Sequence, residues 1–244
     1  MSQNPWDILG QKTFNTQLQK GEIDPRAADN ILVAWPPILK LLKSEYPKTH
    51  GVIILDFGCG AGGFCSKLDS LGYEVTGMDP SVMMIESAKQ RTPPTVRYIL
   101  GDQKNIPSGE LFDVITSIMT FPFIENIRLT FEHLTHVLKP GGLFIIAVFN
   151  PEWVKESLKK NMWFTHFDSI DNPKAGMKTF GKLQIPIFIR NAEKYTTIAK
   201  SCNLHPVSEE YPVFTPEFIQ KYPDYYPNNI SEYIILGYRK EVRS

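Results

Sequence analysis

Residues 52–57 read VIILDF and run directly into GCGAGG, an apolar stretch meeting a glycine-rich turn. A continuous apolar run of this kind predicts a strand buried on both faces, as in a parallel sheet. Parallel neighbours need crossover connections, so helices must alternate with the strands that follow. The rest of the first half keeps that rhythm. Strands are predicted over 73–78, 95–100, 112–119 and 143–149, with helices between them. Ile127, Phe131, Leu134 and Leu138 recur at helical spacing and stop at the turn Lys139-Pro140-Gly141-Gly142. Before the first strand, Asp24-Pro25 predicts a helix start. Pro36 and Pro37 predict a break or kink near Trp35, with a second short helix carrying Ile38, Leu39 and Leu42.

From residue 150 to about 184 the rhythm is lost, which predicts a partly helical insertion. A strand near 185–189, a helix capped by Asn191, a strand over 205–211 and a last strand over 232–240 follow. The chain therefore reads as one domain over residues 1–244. Its parts are an N-terminal helical lid (1–48), a core (50–149), the insertion (150–185) and a C-terminal part completing the sheet and an acceptor pocket (186–244).

Composition narrows the function. With 26 basic against 26 acidic residues and a pI near 7.0, the chain lacks the basic footprint of a nucleic-acid binder. No apolar run reaches the roughly 20 residues that span a bilayer, and MSQNPWDILG is not a signal peptide. Cys59, Cys65 and Cys202 form no CxxC pair, a reduced, metal-free pattern that points to the cytoplasm. A small-molecule partner is expected, with neither membrane nor nucleic acid. Oligomeric state cannot be read from the sequence.

Gly58, Gly60 and Gly63 fit the GxGxxG spacing that lets a backbone bend sharply and approach a ligand. Asp79 lies 21 residues beyond Gly58 at the end of the second strand, where a carboxylate reaches a ribose hydroxyl. The turn and Asp79 fit any adenosine-bearing cofactor. Three further features discriminate. Asp56 stands inside the apolar first strand, a place that dinucleotide fingerprints keep apolar; an amino-acid-bearing cofactor offers it an ammonium. Asp102 and Gln103 end the third strand where an adenine amino group could be read. The Lys139 to Gly142 block then precedes a wholly apolar strand.

In order, DFGCGAG, GMDPSVMMIESAK, GDQKNIP, FDVITS and LKPGGLFIIA resemble the class I S-adenosylmethionine-dependent methyltransferases, closely over about residues 50–150. The resemblance implies a Rossmann-like, seven-stranded, mostly parallel sheet with an antiparallel last strand and helices on both faces. It implies S-adenosylmethionine as cofactor. Asp56 and the Gly58, Cys59 and Gly60 backbone would line its methionine part, and Asp79 would hold the ribose. Pro80 would pack near the adenine, Asp102 with the Gln103 amide would read it, and Ser117 and Ile118 would flank the amino-acid end. Phe57 departs from the smaller aliphatic common there and is expected to serve as packing. The expected reaction is O- or N-methylation of a small, partly apolar acceptor. An NAD(P)-dependent oxidoreductase and a non-catalytic binder of the same cofactor are the alternatives.

Individual residues also have plainer readings. Asp79 suits a helix start and Asp102 a turn; Cys59 and Cys65 suit inert packing. His133 and His136 point away from the apolar helix face. Methyl transfer needs a base only when the acceptor must lose a proton. Thr120-Phe121-Pro122-Phe123 lacks the Asp or Asn of the element that amino-group methyltransferases acting on DNA bases and protein amides carry at this place. By elimination among the histidines, His166 is the candidate base. Trp6, Phe14, Trp153, Trp163, Phe164 and Tyr211 are candidates for the acceptor pocket, because ligand sites are lined by aromatic groups.

Overall fold

The computed structural model describes residues 4–11, 28–172, 174–221 and 230–242. Its core is a seven-stranded sheet in the order β3-β2-β1-β4-β5-β10-β9. The strands are β1 (Ile53–Phe57), β2 (Glu74–Asp79), β3 (Arg97–Leu100), β4 (Phe112–Ile118), β5 (Leu138–Phe149), β9 (Leu204–Glu210) and β10 (Tyr233–Lys240). β1 to β5 run parallel, and β10 inserts antiparallel between β5 and β9. This is the predicted architecture. Reversal of chain order at β1/β4 makes the crevice above the C-terminal ends of β1 and β4 the natural ligand site.

Two apolar layers hold the sheet. On one face, Ile54, Val75, Val114 and Ile145 pack with Ile38 and Leu42 of α2 (Trp35–Glu45) and with Phe64, Cys65 and Leu68 of α3 (Gly63–Ser70). On the other, Leu55, Ile115, Phe144 and Ile146 pack with Phe131 and Leu134 of α5 (Ile127–Val137) and Tyr195 of α7 (Ala192–Ser201). Ser81 caps α4 (Val82–Arg91), its Oγ accepting the Met84 amide at 3.2 Å. Lys139 places its ammonium 2.9 Å from both Asp113 carboxylate oxygens. The Lys-Pro-Gly-Gly block thus fastens β5 to β4 near the N-terminal end of β4.

Three expectations change. No break occurs at Trp35: the five residues Asn30–Ala34 wind as a π-helix that leads into α2, and the prolines occupy its first turn, where a missing N–H costs nothing. The expected strand near 185–189 is β8 (Leu183–Phe188), and it does not join the main sheet. It pairs antiparallel with β7 (Ala175–Phe180), which pairs with the short β6 (Phe164–Thr165) to form a second sheet. The insertion after β5 is therefore α6 (Pro151–Lys159) followed by this three-stranded unit, and it reaches past residue 185. The Asp24-Pro25 helix start and Phe14 lie outside the described residues. Among the described residues no helix is long and apolar enough to cross a membrane.

α1 (Pro5–Gln11) lies against α4. Gly10 sits so close that a Cβ there would stand 2.9 Å from the Met83 Cβ. Asp7 Oδ1 accepts from the Ser81 hydroxyl at 2.6 Å and from the Met83 amide at 3.4 Å, placing a carboxylate where the α4 dipole favours one. The N-terminal segment and the insertion then meet: the Trp6 ring stands 4.7 Å from Phe123 and 6.2 Å from Phe180 of β7.

Candidate active site

Above the C-terminal ends of β1, β2 and β4 lies one continuous cavity of about 1410 Å³. A single small-molecule site occupies roughly 300–1,000 Å³, so there is room for two ligands. The cavity has two chemically different ends.

The first is the glycine turn. Gly58 has φ +78°, and a Cβ there would stand 1.9 Å from Thr120 Oγ1. Its glycine is therefore required by packing against the end of β4. Gly60 has φ +52°, and a Cβ there would meet nothing within 4 Å. That bare backbone faces the cavity, a cradle that any side chain would fill.

Asp79 ends β2 at 8% exposure. Its Oδ2 accepts the Gly60 amide and its Oδ1 the Ser81 amide, both at 2.9 Å. Burial pushes its carboxyl up, and the two amides draw it back. The carboxylate ties the turn to the start of α4 and retains lone pairs for a ligand. Asp56 is 3% exposed. Thr116 Oγ1 donates to its Oδ1 at 2.9 Å and Cys65 Sγ to its Oδ2 at 3.4 Å. Burial pushes the Asp56 carboxyl to about 6, against the relief of these two bonds. A cationic ligand group would complete its surroundings.

Cys59, Pro80, Asp102, Gln103 and Ile118 also line the cavity. Asp102 Oδ1 accepts the Lys104 amide at 2.9 Å, so its turn-closing reading holds while its residue still borders the cavity. Ser117 does not line the cavity: it is fully buried, its hydroxyl without a partner among the described residues. Met119 takes its place on the wall, in a left-handed conformation with φ +59°, an uncommon backbone state that accompanies ligand sites. Phe57 packs 6.3 Å from Phe121, as expected of its ring.

The second end is aromatic and lies under the insertion. Trp153 is sandwiched between Phe149 (6.0 Å, 1° between planes) and Trp163 (5.1 Å, 12°). Trp6, Trp153 and Trp163 line the cavity as expected. Phe164 supports this wall from behind, edge-on to Trp153 at 5.9 Å, without itself bordering the cavity. Tyr211 is 45% exposed and bonds Glu209 at 2.7 Å, so it forms no part of the pocket. His166 is also displaced. It sits on the exposed side of the insertion, its Nδ1 3.0 Å from the hydroxyl of Thr165. His166 follows β6 with a left-handed backbone of φ +55°, which ends the strand's alternation, and its ring lies exposed while Phe164 is buried. Among the described residues no histidine borders the cavity.

Asp29, Lys178 and Glu232 escaped the sequence reading, and all three border the cavity. Burial, and the charge of Asp29, push the Glu232 carboxyl well above the usual carboxylate range, with Lys178 drawing it back. Burial likewise lowers the Lys178 ammonium, against the two carboxylates. The available signal was positional: Glu232 stands at the head of EYIILGY, hence at the ligand edge of the sheet if that strand is antiparallel.

A family model described as a methyltransferase domain matches residues 21–185. Curated relatives include the ubiquinone biosynthesis O-methyltransferase of Bradyrhizobium diazoefficiens, 30% identical over 106 residues, or 42% of either chain. That of Rickettsia typhi is 28% identical over 116 residues, 46% of this chain and 47% of the other. The chain thus matches less than half the length of these relatives. An S-adenosylmethionine-dependent methyltransferase structure from Mesorhizobium loti superposes with TM-score 0.62 at 17% identity, covering 82% of this chain and 96% of that one. The magnesium protoporphyrin IX methyltransferase of Synechocystis, solved with S-adenosylhomocysteine (SAH), gives 0.64 at 15% identity, covering 96% and 94%. These structures share the fold.

Proposed function

The chain belongs to the methyltransferase-domain family, an enzyme class whose methyl donor is S-adenosylmethionine, and from that premise we propose that it methylates oxygen or nitrogen of a small, partly apolar acceptor. The observation that carries this reading is the single cavity with a bare glycine backbone at one end and stacked aromatic rings at the other.

When bound, the cofactor supplies a methyl group on a positively charged sulfur, so the reactivity is its own. The residues at the glycine turn have the chemistry to hold it. Gly60 would leave its backbone bare beneath it, with Gly58 and Cys59 holding the turn in shape, Asp79 would accept from ribose hydroxyls, and Asp56 would offer negative charge to the amino-acid part. Pro80, Asp102 and Gln103 would border its adenine, with Ile118 and Met119 along the wall of the cavity. The protein's remaining task is to desolvate the acceptor and align its lone pair. Trp153, Trp163 and Phe149 do this by shape, and α1 with the insertion acts as the cover. His166 is too far onto the outer surface to take a proton from that chamber.

The O-methyltransferase names of the curated relatives support a small-molecule acceptor. Incubation with methyl-labelled S-adenosylmethionine and a fractionated cell extract tests the reading. Label should appear in low-molecular-weight, organic-extractable material. Label confined to protein or nucleic acid, or no transfer at all, would refute it.

A further inference from the structure

The glycine-turn end of the cavity satisfies its own carboxylates; the aromatic end does not. Asp29 Oδ1, Asn30 Oδ1, Thr179 Oγ1 and Glu232 Oε2 are closed off from solvent with no hydrogen-bond partner among the described residues, and all four residues border the cavity. Native proteins leave few such atoms, so a group of them around one space points to a ligand that supplies the partners. Two are carboxylate oxygens, which accept when ionised. The missing partner is therefore a donor.

The cluster is held on rigid elements. The Glu232 carbonyl accepts the Asn150 amide at 2.9 Å where β5 and β10 meet α6. Asp29 Oδ2 accepts the Tyr233 hydroxyl at 2.7 Å. Lys178 sits in β7 between Phe164 and Ile185. Its ammonium lies 4.6 Å from the Phe164 ring centre, 5.1 Å from Phe149 and 5.5 Å from Trp163, so these ring faces already accommodate a cation. Among the described residues Lys178 is the cation whose charge acts on both Asp29 and Glu232, so within this cluster two carboxylates face one ammonium when all three are ionised. An ammonium ligand supplies a second positive charge and up to three N–H donors, whereas a hydroxyl supplies one donor and no charge.

Resting on the methyltransferase reading above, we propose that Asp29, Lys178 and Glu232 form the acceptor subsite, that the acceptor is a primary or secondary amine, and that Glu232 takes its proton. The amine enters as ammonium and passes one N–H proton to the Glu232 carboxylate. The freed nitrogen lone pair forms the new N–C bond as the C–S bond breaks, its electron pair staying on sulfur. The proton on Glu232 leaves to solvent when the methylated ammonium departs. Burial raises the basicity of the Glu232 carboxylate toward that of the proton it must accept.

Benzylamine and benzyl alcohol share a ring and differ only in the group at issue. Their calorimetric titration into the full chain, with and without saturating SAH, tests the proposal. Benzylamine should bind about tenfold more tightly than the alcohol, the scale of a charged hydrogen bond. Glu232→Gln should erase that preference while leaving SAH affinity unchanged, and Lys178→Met should strengthen benzylamine binding. Equal or tighter binding of the alcohol, or an undiminished amine preference in Glu232→Gln, would overturn it. Failure of SAH to bind the wild type would count against the methyltransferase reading instead, with the amine comparison still decided by the titrations without SAH.

Discussion

The two ends of the cavity solve the problem of burying charge in opposite ways. At the glycine turn, Asp79 receives two backbone amides and Asp56 a hydroxyl and a thiol. Under the insertion, Asp29 and Glu232 each keep an oxygen with no partner among the described residues. A site for an invariant ligand can be pre-satisfied and then only exchange or share its bonds. A site whose own groups are incomplete relies on the incoming molecule to complete them, and incompleteness of that kind is a source of selectivity. On the proposed reading, the difference puts specificity for the acceptor around Asp29, the insertion and the head of β10 rather than in the glycine turn.

The sharpest way to break the comparison is at Gly60. Gly60→Val should abolish SAH binding, by about 100-fold or more, since a branched side chain there fills the cradle and adds strain at positive φ of about 1–2 kcal/mol. The same change at Gly58 should instead compromise folding, because its Cβ would collide with Thr120. Calorimetry and thermal unfolding together separate these outcomes; loss of stability without loss of binding at Gly60 would show the turn to be a packing device.

Asp79→Ala comes next in size. Removing a charge-assisted bond worth roughly 1.5–3 kcal/mol should weaken SAH about 10- to 150-fold, and the Gly60 amide also loses its anchor. Unchanged affinity would remove Asp79 from the cofactor end.

Asp56 sharpens the contrast through pH. Its carboxyl rises from the usual 3.8 to about 6 in the fold. Between these values the folded protein holds a proton that the unfolded chain has released, so this group makes stability fall as pH rises from about 4 to 6. Asp56→Asn should therefore raise the stability of the ligand-free protein by roughly 1–3 kcal/mol at pH 7 and flatten that slope, while weakening SAH. Denaturant unfolding at pH 4, 5.5 and 7 would measure this; a steeper loss in the variant would reverse the assignment.

The smallest effect concerns the cover. Asp7→Ala removes the bonds that tie α1 to Ser81 and Met83. Cleavage within residues 5–11 should quicken about fivefold in the ligand-free protein, as expected when local opening becomes easier by a hydrogen bond of about 1 kcal/mol. SAH should slow cleavage there and across 150–185 in the wild type. Equal cutting with and without SAH would deny that these segments close over the cavity.

Most of the sheet and the cofactor end were legible because they are local. VIILDF, its glycines and Asp79 lie within 30 residues of one another, and strand, turn and carboxylate announce themselves by pattern. The insertion was not legible for a physical reason. In β7, AGMKTF alternates only weakly, and all six residues are partly exposed, so neither a buried run nor a clean period marks it as a strand. Nothing in the sequence marks Lys178 as buried; the fold lays its ammonium against the rings of Phe149, Trp163, Phe164 and Phe180. Asp29 and Glu232 are 203 residues apart and meet Lys178 only through tertiary packing. His166 failed as a base for a related reason: lying in the covering segment does not fix which way a side chain points, and the left-handed turn at His166 itself, just past β6, leaves its ring exposed.

The central claim is that one cavity holds the cofactor on the glycine turn and faces its reactive sulfur toward the chamber under the insertion. A crystal structure of the protein with SAH tests this directly. The account predicts the ribose hydroxyls on the Asp79 carboxylate, the ligand passing over Gly60, and the sulfur opening toward Trp153 and Glu232. SAH seated elsewhere, or with its ribose away from Asp79 and its sulfur turned from the aromatic rings, would contradict it.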